Sequence, residues 1–301
     1  MICPTLPFAL MVQALFLVQS PAVLSSQTKA KPNLPPEQVA QTSRYLATLA
    51  MPMGGYAPNP GAKASLRATL GAVRALRLLG VQPADLLACR EFVLGCLTTD
   101  GFADAPDQKP GPAAPALQAV GLMALHDLAA EKSPQVAGKL PAQFAHLEFL
   151  ATDFESIRLA AAAFEAGKRS PANSALWLQI IEKAIAAAPQ DNRLLGGATA
   201  AKLRLGVQIK DEEKAAVAAQ LLAGQKSAGG WGKSEQPPSD LDTCYRVMRA
   251  LKMLGKKPDT QKLQAFIASC RNPDGGYGLT KGDSSTASAT YQALIVLSWL
   301  E

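Results

Sequence analysis

Rings are in short supply in this sequence: aromatic residues make up 6% of 301 positions, and there are only two histidines. A site that stabilises a carbocation by surrounding it with aromatic faces needs more of them than this. The histidines, His126 and His146, leave few ways to build a catalytic zinc centre, which takes three protein ligands and commonly draws on histidine. Charged residues amount to 18%, and the net charge of +6 is spread without a dense basic run or interleaved aromatics. Nucleic acid is therefore excluded as the expected partner. Runs of β-branched residues are missing, so no segment demands a strand. Beyond Val18 no apolar stretch reaches the length of a bilayer-crossing helix, about 20 residues.

Leu6 to Val18 is an almost unbroken apolar run followed by small residues around Ser25 and Ser26. It is short for a membrane span and suits the core of a secretory signal, about 7–15 apolar residues. Residues 1–25 are therefore expected to be a signal peptide, and the mature chain an exported protein, periplasmic or secreted. No lysine or arginine precedes the run, and a membrane-tethered start is the alternative. Residues 26–34, with lysine and proline but no apolar periodicity, read as a linker into one domain over 35–301. Of the five cysteines, Cys3 belongs to the signal segment. Cys89 and Cys96 stand two turns apart on one expected helix, roughly 10 Å, too far for a disulfide. Cys96 and Cys270 occupy equivalent repeat positions, and packing thiols are expected.

The dominant feature is a repeat. Gly54-Gly55-Tyr56, Gly229-Gly230-Trp231 and Gly275-Gly276-Tyr277, with a shortened copy at Gly101-Phe102, each sit between two stretches of helical periodicity. The segmentation predicts helical pairs at 36–50 and 64–79, 83–97 and 113–128, 134–150 and 154–166, 171–188 and 192–205, 211–226 and 239–254, and 259–271 and 284–300. Pro35-Pro36, Ser133-Pro134, Ser170-Pro171 and Pro258-Asp259 supply starts, and Gly80, Gly167, Gly206 and Gly255 supply stops. The third and fourth pairs lack the glycine loop and rest on periodicity alone. Six hairpins can stack openly or close into a ring. The last helix is apolar to its end, from Ala289 to Leu300, and needs a neighbour to cover it, so closure is expected. The result is an all-α, (α/α)6 toroid with inner and outer helix rings and a central pocket at one rim. Tyr56, Trp231 and Tyr277 are expected to wedge between hairpins.

Phe266 to Gly278, FIASCRNPDGGYG, resembles the repeats of protein prenyltransferase β subunits, and Gln225 followed by Gly229 and Trp231 is similar to the Gln-Trp motif of squalene and hopene cyclases. The resemblance covers roughly residues 36–102 and 211–301. It implies an α/α toroid in which the helix after each glycine loop lines the cavity. Asp242-Thr243-Cys244-Tyr245 resembles the zinc half-site of the transferases, where the carboxylate and thiolate hold zinc and the tyrosine contacts the isoprenoid diphosphate. The position of the family's third ligand falls near Ala289, where no histidine stands, so zinc is not expected. Asp240-Leu241-Asp242-Thr243 resembles the cyclase motif Asp-x-Asp-Asp-Thr with one aspartate missing; there Asp242 would be the proton donor.

Beside those readings stands a structural one, in which Ser239 or Asp240 simply caps a helix. The candidate catalytic residues are Asp242, Asp240 and Cys244. The candidate ligand-binding residues are Tyr245, Arg246, Tyr291, Arg67 and Arg158, the arginines being suited to a phosphate or carboxylate head group. The two histidines are expected to be surface or packing residues away from the rim. The expectation is an exported toroid that binds an apolar, isoprenoid-like ligand or a protein partner in or around its cavity, with incomplete catalytic motifs and no cofactor. The alternative is a working prenyl-group transferase or terpenoid-processing enzyme that uses Asp242.

Overall fold

The computed structural model describes residues 31–111, 114–236 and 238–301; the expected signal segment and the first linker residues lie outside them. The helices alternate between an outer and an inner ring. The outer ring holds α1 (Pro36–Thr48), α3 (Leu86–Gly95), α5 (Pro134–Ala137) with α6 (Leu140–Leu150), α8 (Ser174–Ala187), α10 (Asp211–Ala223) and α12 (Thr260–Ser269). The inner ring holds α2 (Leu66–Leu79), α4 (Ala114–Asp127), α7 (Phe154–Ala166), α9 (Asn192–Arg204), α11 (Leu241–Met253) and α13 (Ala287–Ser298). Each inner helix packs on the next, and α13 returns to α2, so the six hairpins close into a toroid as expected. Burial follows position. α2, sandwiched between the outer ring and the lumen, buries residues on nearly every side, whereas α12 buries only Leu263, Phe266 and Ile267 along one stripe.

One backbone hydrogen bond, repeated around the ring, explains why consecutive hairpins lock together. The first N–H groups of a helix have no partner inside it. Here Leu66 donates to the Asp104 carbonyl at 2.7 Å, Asn192 to Lys233 at 2.8 Å, Leu241 to Leu279 at 2.9 Å and Ala287 to Pro58 at 2.9 Å. Asp104, Lys233, Leu279 and Pro58 each lie two residues beyond a loop aromatic, Phe102, Trp231, Tyr277 and Tyr56. The last of these bonds joins the sixth hairpin to the first. Thr42 strengthens the same seam by donating to the Gly275 carbonyl at 2.7 Å.

The loop aromatics are wedges, as expected. Trp231, Tyr277 and Tyr56 are all buried, and Trp231 Nε1 donates to the Leu221 carbonyl at 2.6 Å. The glycine before them answers to close approach as much as to conformation. Gly229 has φ 98°, and a Cβ there would stand 2.0 Å from the Lys262 carbonyl oxygen of α12. No other residue fits.

Several expectations need correction. A two-residue antiparallel ladder, β1 (Leu97–Thr98) with β2 (Gly101–Phe102), forms at the shortened loop, because only two residues connect it and the chain must double straight back. The third outer helix is broken between Ala137 and Leu140. Pro171 does not open the fourth; α8 begins at Ser174. Gly80, Gly206 and Gly255 end helices with positive φ, but Gly167 has φ −76°, and Lys168 takes the positive value instead. Gly167 is there for room: a Cβ would meet the Phe144 ring at 2.5 Å. The four described cysteines are free and buried in the core. No described helix is long and apolar enough to cross a membrane.

Candidate functional site in the toroid lumen

Inner-helix register decides what faces the lumen. The N-caps are Ser65, Asp153, Asp191, Asp240 and Thr286 on α2, α7, α9, α11 and α13. Two residues after the caps of α7, α9 and α11 come Glu155, Arg193 and Asp242, which meet at one rim. Arg193 Nε donates to Asp242 Oδ2 at 2.6 Å, and its Nη1 lies 3.6 Å from Glu155 Oε1. One turn deeper, Arg246 Nη1 reaches Glu155 Oε1 at 2.7 Å, past α9, and Arg158 Nη2 pairs with Glu155 Oε2 at 3.1 Å. Gln292 Nε2 of α13 donates to Asp242 Oδ1 at 3.1 Å. Gly197 makes this crossing possible, since a Cβ there would stand 2.8 Å from Arg158 Cδ.

This upper layer therefore holds three guanidiniums and two carboxylates. Arg246 is 4% exposed, and its Nε lies 3.2 Å from Asp242 Oδ2 without a hydrogen-bond partner. Burial pushes the Asp242 carboxyl up, but Arg246 and Arg193 outweigh it and hold it below the usual aspartate range. Glu155 is lowered in the same way, burial being overcome by Arg246, Arg158 and Arg193.

Below lies a second layer of arginines and acids. Arg74 Nε pairs with Asp127 Oδ2 at 2.5 Å, and Arg204 Nε with Glu165 Oε2 at 2.9 Å. Arg249 Nη2 donates to the Tyr245 hydroxyl at 3.1 Å. The guanidinium of Arg249 lies 4.5 Å from the Trp299 ring centroid and 5.3 Å from that of Tyr245, and Arg74 lies 5.9 Å from that of Tyr291. Tyr245 stacks on Trp299 at 5.7 Å. The hollow expected beside Asp242 is thus crossed by charged and aromatic side chains. A cavity of about 160 Å³ lies instead toward the C-terminal ends of α2 and α4, lined in part by Val73, Arg77, Leu86 and Arg90.

Each sequence candidate now has a place. Asp242 faces the lumen at its rim. Asp240 caps α11, accepting from the Thr243 N–H and hydroxyl, both at 2.8 Å, so the capping reading describes its geometry. Cys244 is fully buried and accepts the Trp231 N–H at 3.2 Å. Thr69 accepts the Tyr56 N–H at 2.9 Å and Thr290 the Tyr277 N–H at 3.1 Å, each thirteen residues on, like Cys244 from Trp231. Cys244 thus fills a repeat position whose task is to satisfy a loop amide, and burial pushes its thiol well up, away from the thiolate a metal needs. Cys244→Thr is expected to change stability by less than about 1.5 kcal/mol and leave any bound metal unaltered; thermal melting and metal analysis check this.

Tyr245 and Tyr291 line the lumen, and Arg158 and Arg246 belong to the upper layer. Arg67 does not join them; it is exposed, and its backbone N–H turns to Asp104. His126 faces Glu131 at 3.1 Å, and His146 lies on outer helix α6 beside Gly101, so neither reaches Asp242. Among the described residues no three histidine, cysteine or acidic side chains come together as metal ligands would. Sequence reasoning missed Arg193, Arg74, Arg204 and Arg249. The available signal was register: Arg193 stands two residues after its cap, like Glu155 and Asp242.

A family model described as the prenyltransferase alpha-alpha toroid domain matches residues 8–109 and 196–301. The stretch between the two matches, 110–195, holds α4, the third hairpin and α8, which nonetheless complete the ring. Among solved structures the chain is similar to Candida albicans protein geranylgeranyltransferase-I complexed with GGPP, at 12% identity and TM-score 0.62, covering 87% of this chain and 90% of that one. It is also similar to the type II terpene cyclase MstE from Scytonema, at 11% identity and TM-score 0.55, covering 88% and 95%. A glycosidase solved with glucose gives 12% identity and TM-score 0.55, covering 88% and 98%. These likenesses are of fold. No curated protein matches the chain.

Proposed function

The chain belongs to the prenyltransferase alpha-alpha toroid family, and we propose that it uses this scaffold to bind, not transform, an amphipathic ligand whose anionic head group docks on Arg158, Arg193 and Arg246. The observation that carries this reading is the convergence of three guanidiniums on only two shared carboxylates in the upper lumen layer, with Arg246 almost wholly buried and its Nε without a hydrogen-bond partner. Buried charge calls for a partner, and paired guanidiniums suit a phosphate or carboxylate. An isoprenoid-like tail is the first choice for the apolar part, because a similar toroid is complexed with GGPP.

The reading against catalysis rests on the same geometry. A proton donor needs a raised pKa, whereas Asp242 is held ionised by Arg246 and Arg193. Cys244, the other half of the zinc-like motif, is occupied by the Trp231 amide. Export through residues 1–25 is part of the proposal and is carried by the Leu6 to Val18 run; N-terminal sequencing of the protein recovered from its native cell tests it.

Calorimetric titration of the purified chain with inorganic phosphate, together with mass spectrometry of co-purifying lipids, tests the ligand. Removing one charged donor costs about 1.5–3 kcal/mol, so Arg158→Gln should weaken phosphate binding by roughly ten-fold or more. Turnover of a prenyl diphosphate, lost in Asp242→Asn, would overturn the reading.

A further inference from the structure

Arg249 is the one guanidinium of the lower layer without an ion pair among the described residues. Its Nε is buried with no hydrogen-bond partner, and its bond through Nη2 goes to the Tyr245 hydroxyl. Arginine cannot shed its proton in a protein, and an uncompensated charge in such surroundings is costly. The group that can yield is the phenol. Around it stand Arg249 of α11, Arg204 of α9, Arg158 and Glu165 of α7, Arg74 of α2, Asp127 of α4, and Tyr291 of α13. Both carboxylates are already engaged, Glu165 by Arg204 and Asp127 by Arg74 and Arg77. Tyr245 therefore has a cationic donor at its oxygen and no carboxylate bound to it.

We infer that Tyr245, held by the Arg249 guanidinium, is an ionisable phenol of the lumen that exchanges its proton near neutral pH, a proton-accepting group placed just below the anion-binding rim. The electrostatics agree. Burial alone would raise the phenol, but Arg249, Arg204, Arg74 and Arg158 together bring it down to about 7. Tyr291 moves the other way through burial and the neighbouring Tyr245. Of the two touching rings, the one that ionises is the one that receives the arginine hydrogen bond.

The ion pair does not depend on the identity of the ligand; its chemical use does rest on the anion-binding reading. A ligand seated at the rim with an O–H or N–H as acidic as the phenol itself, such as a monoprotonated phosphate, directed inward would lose that proton to the ionised Tyr245 Oη. The donor bond breaks and its electron pair stays on the ligand, beside Arg158. The phenolate becomes a neutral phenol.

Ultraviolet titration of tyrosinate in the ligand-free chain tests the pair by itself. One of the five tyrosines should ionise with a midpoint of about 7, while Tyr45, Tyr56, Tyr277 and Tyr291 ionise above the ordinary tyrosine value. Tyr245→Phe should remove the early step. Arg249→Gln should move it up by about one to three pH units; if that variant does not fold, Tyr245→Phe alone decides. An early step that is absent from the intact chain, or that persists in Tyr245→Phe, overturns the inference. Because no phosphate is present, the result stands apart from success or failure of the anion-binding experiment.

Discussion

Trp231→Ala should lower the stability of the fold by about 3–5 kcal/mol, the usual cost of emptying a buried indole site. The side chain is fully buried, so the cavity cannot be filled by solvent-side rearrangement alone. The change also leaves the Leu221 carbonyl without the indole donor that now bonds it at 2.6 Å. Chemical denaturation reads the loss directly. Phosphate binding measured well below the new midpoint should be close to that of the parent, because Trp231 sits between hairpins and not in the lumen. A stability change under 1 kcal/mol, on the order of a surface substitution, would mean that the glycine-loop aromatics are not the wedges of this ring.

Asp242→Ala carries the second large effect, and its signs are what make it informative. Removing one partner of a buried ion pair costs about 3–5 kcal/mol; Asp242 is a quarter exposed, which places the loss at the lower end. Arg193 and Arg246 would then face one another with Glu155 as their shared carboxylate. Stability should fall while phosphate affinity rises, because an anion takes the vacated place. A catalytic acid or a zinc ligand predicts no such gain.

The pH dependence follows from the lowered carboxyl. Asp242 binds its proton more readily in the unfolded chain than in the folded one, so its contribution is complete above the ordinary aspartate value, about 3.9. It is lost as pH falls through the lowered folded value. The gap in stability between the parent and Asp242→Ala should be wide at neutral pH and shrink under acid, and unfolding curves across that range measure it.

Helix identity was legible in the sequence because periodicity and end signals are local. The inner helix expected at 154–166 is α7 to the residue, and Asp240 caps α11 as its neighbours allow. Where local signals misled, a distant contact had intervened: Phe144 requires glycine at 167 whatever its φ. The same holds at the site. Asp242 was found from its motif, but Cys244 looked like a ligand because the motif was read along the chain. Its counterparts are Thr69 and Thr290, thirteen residues after their own aromatics.

By itself the sequence determined a ring of helical hairpins, since recurring glycine loops, helical periodicity between them and an apolar final helix leave one economical way to cover every buried face. It also placed Asp242 at the start of an inner helix. Only the tertiary structure decided what the lumen is. The arginines of α2, α7, α9 and α11 are scattered between positions 74 and 249, and nothing local says that they share one narrow space. Ring closure brings them together, and once the space is dry enough, charge balance governs which side chains are ionised and which group remains to receive an anion. Proximity across a closed ring is a property of the whole chain; helical periodicity belongs to each segment of it.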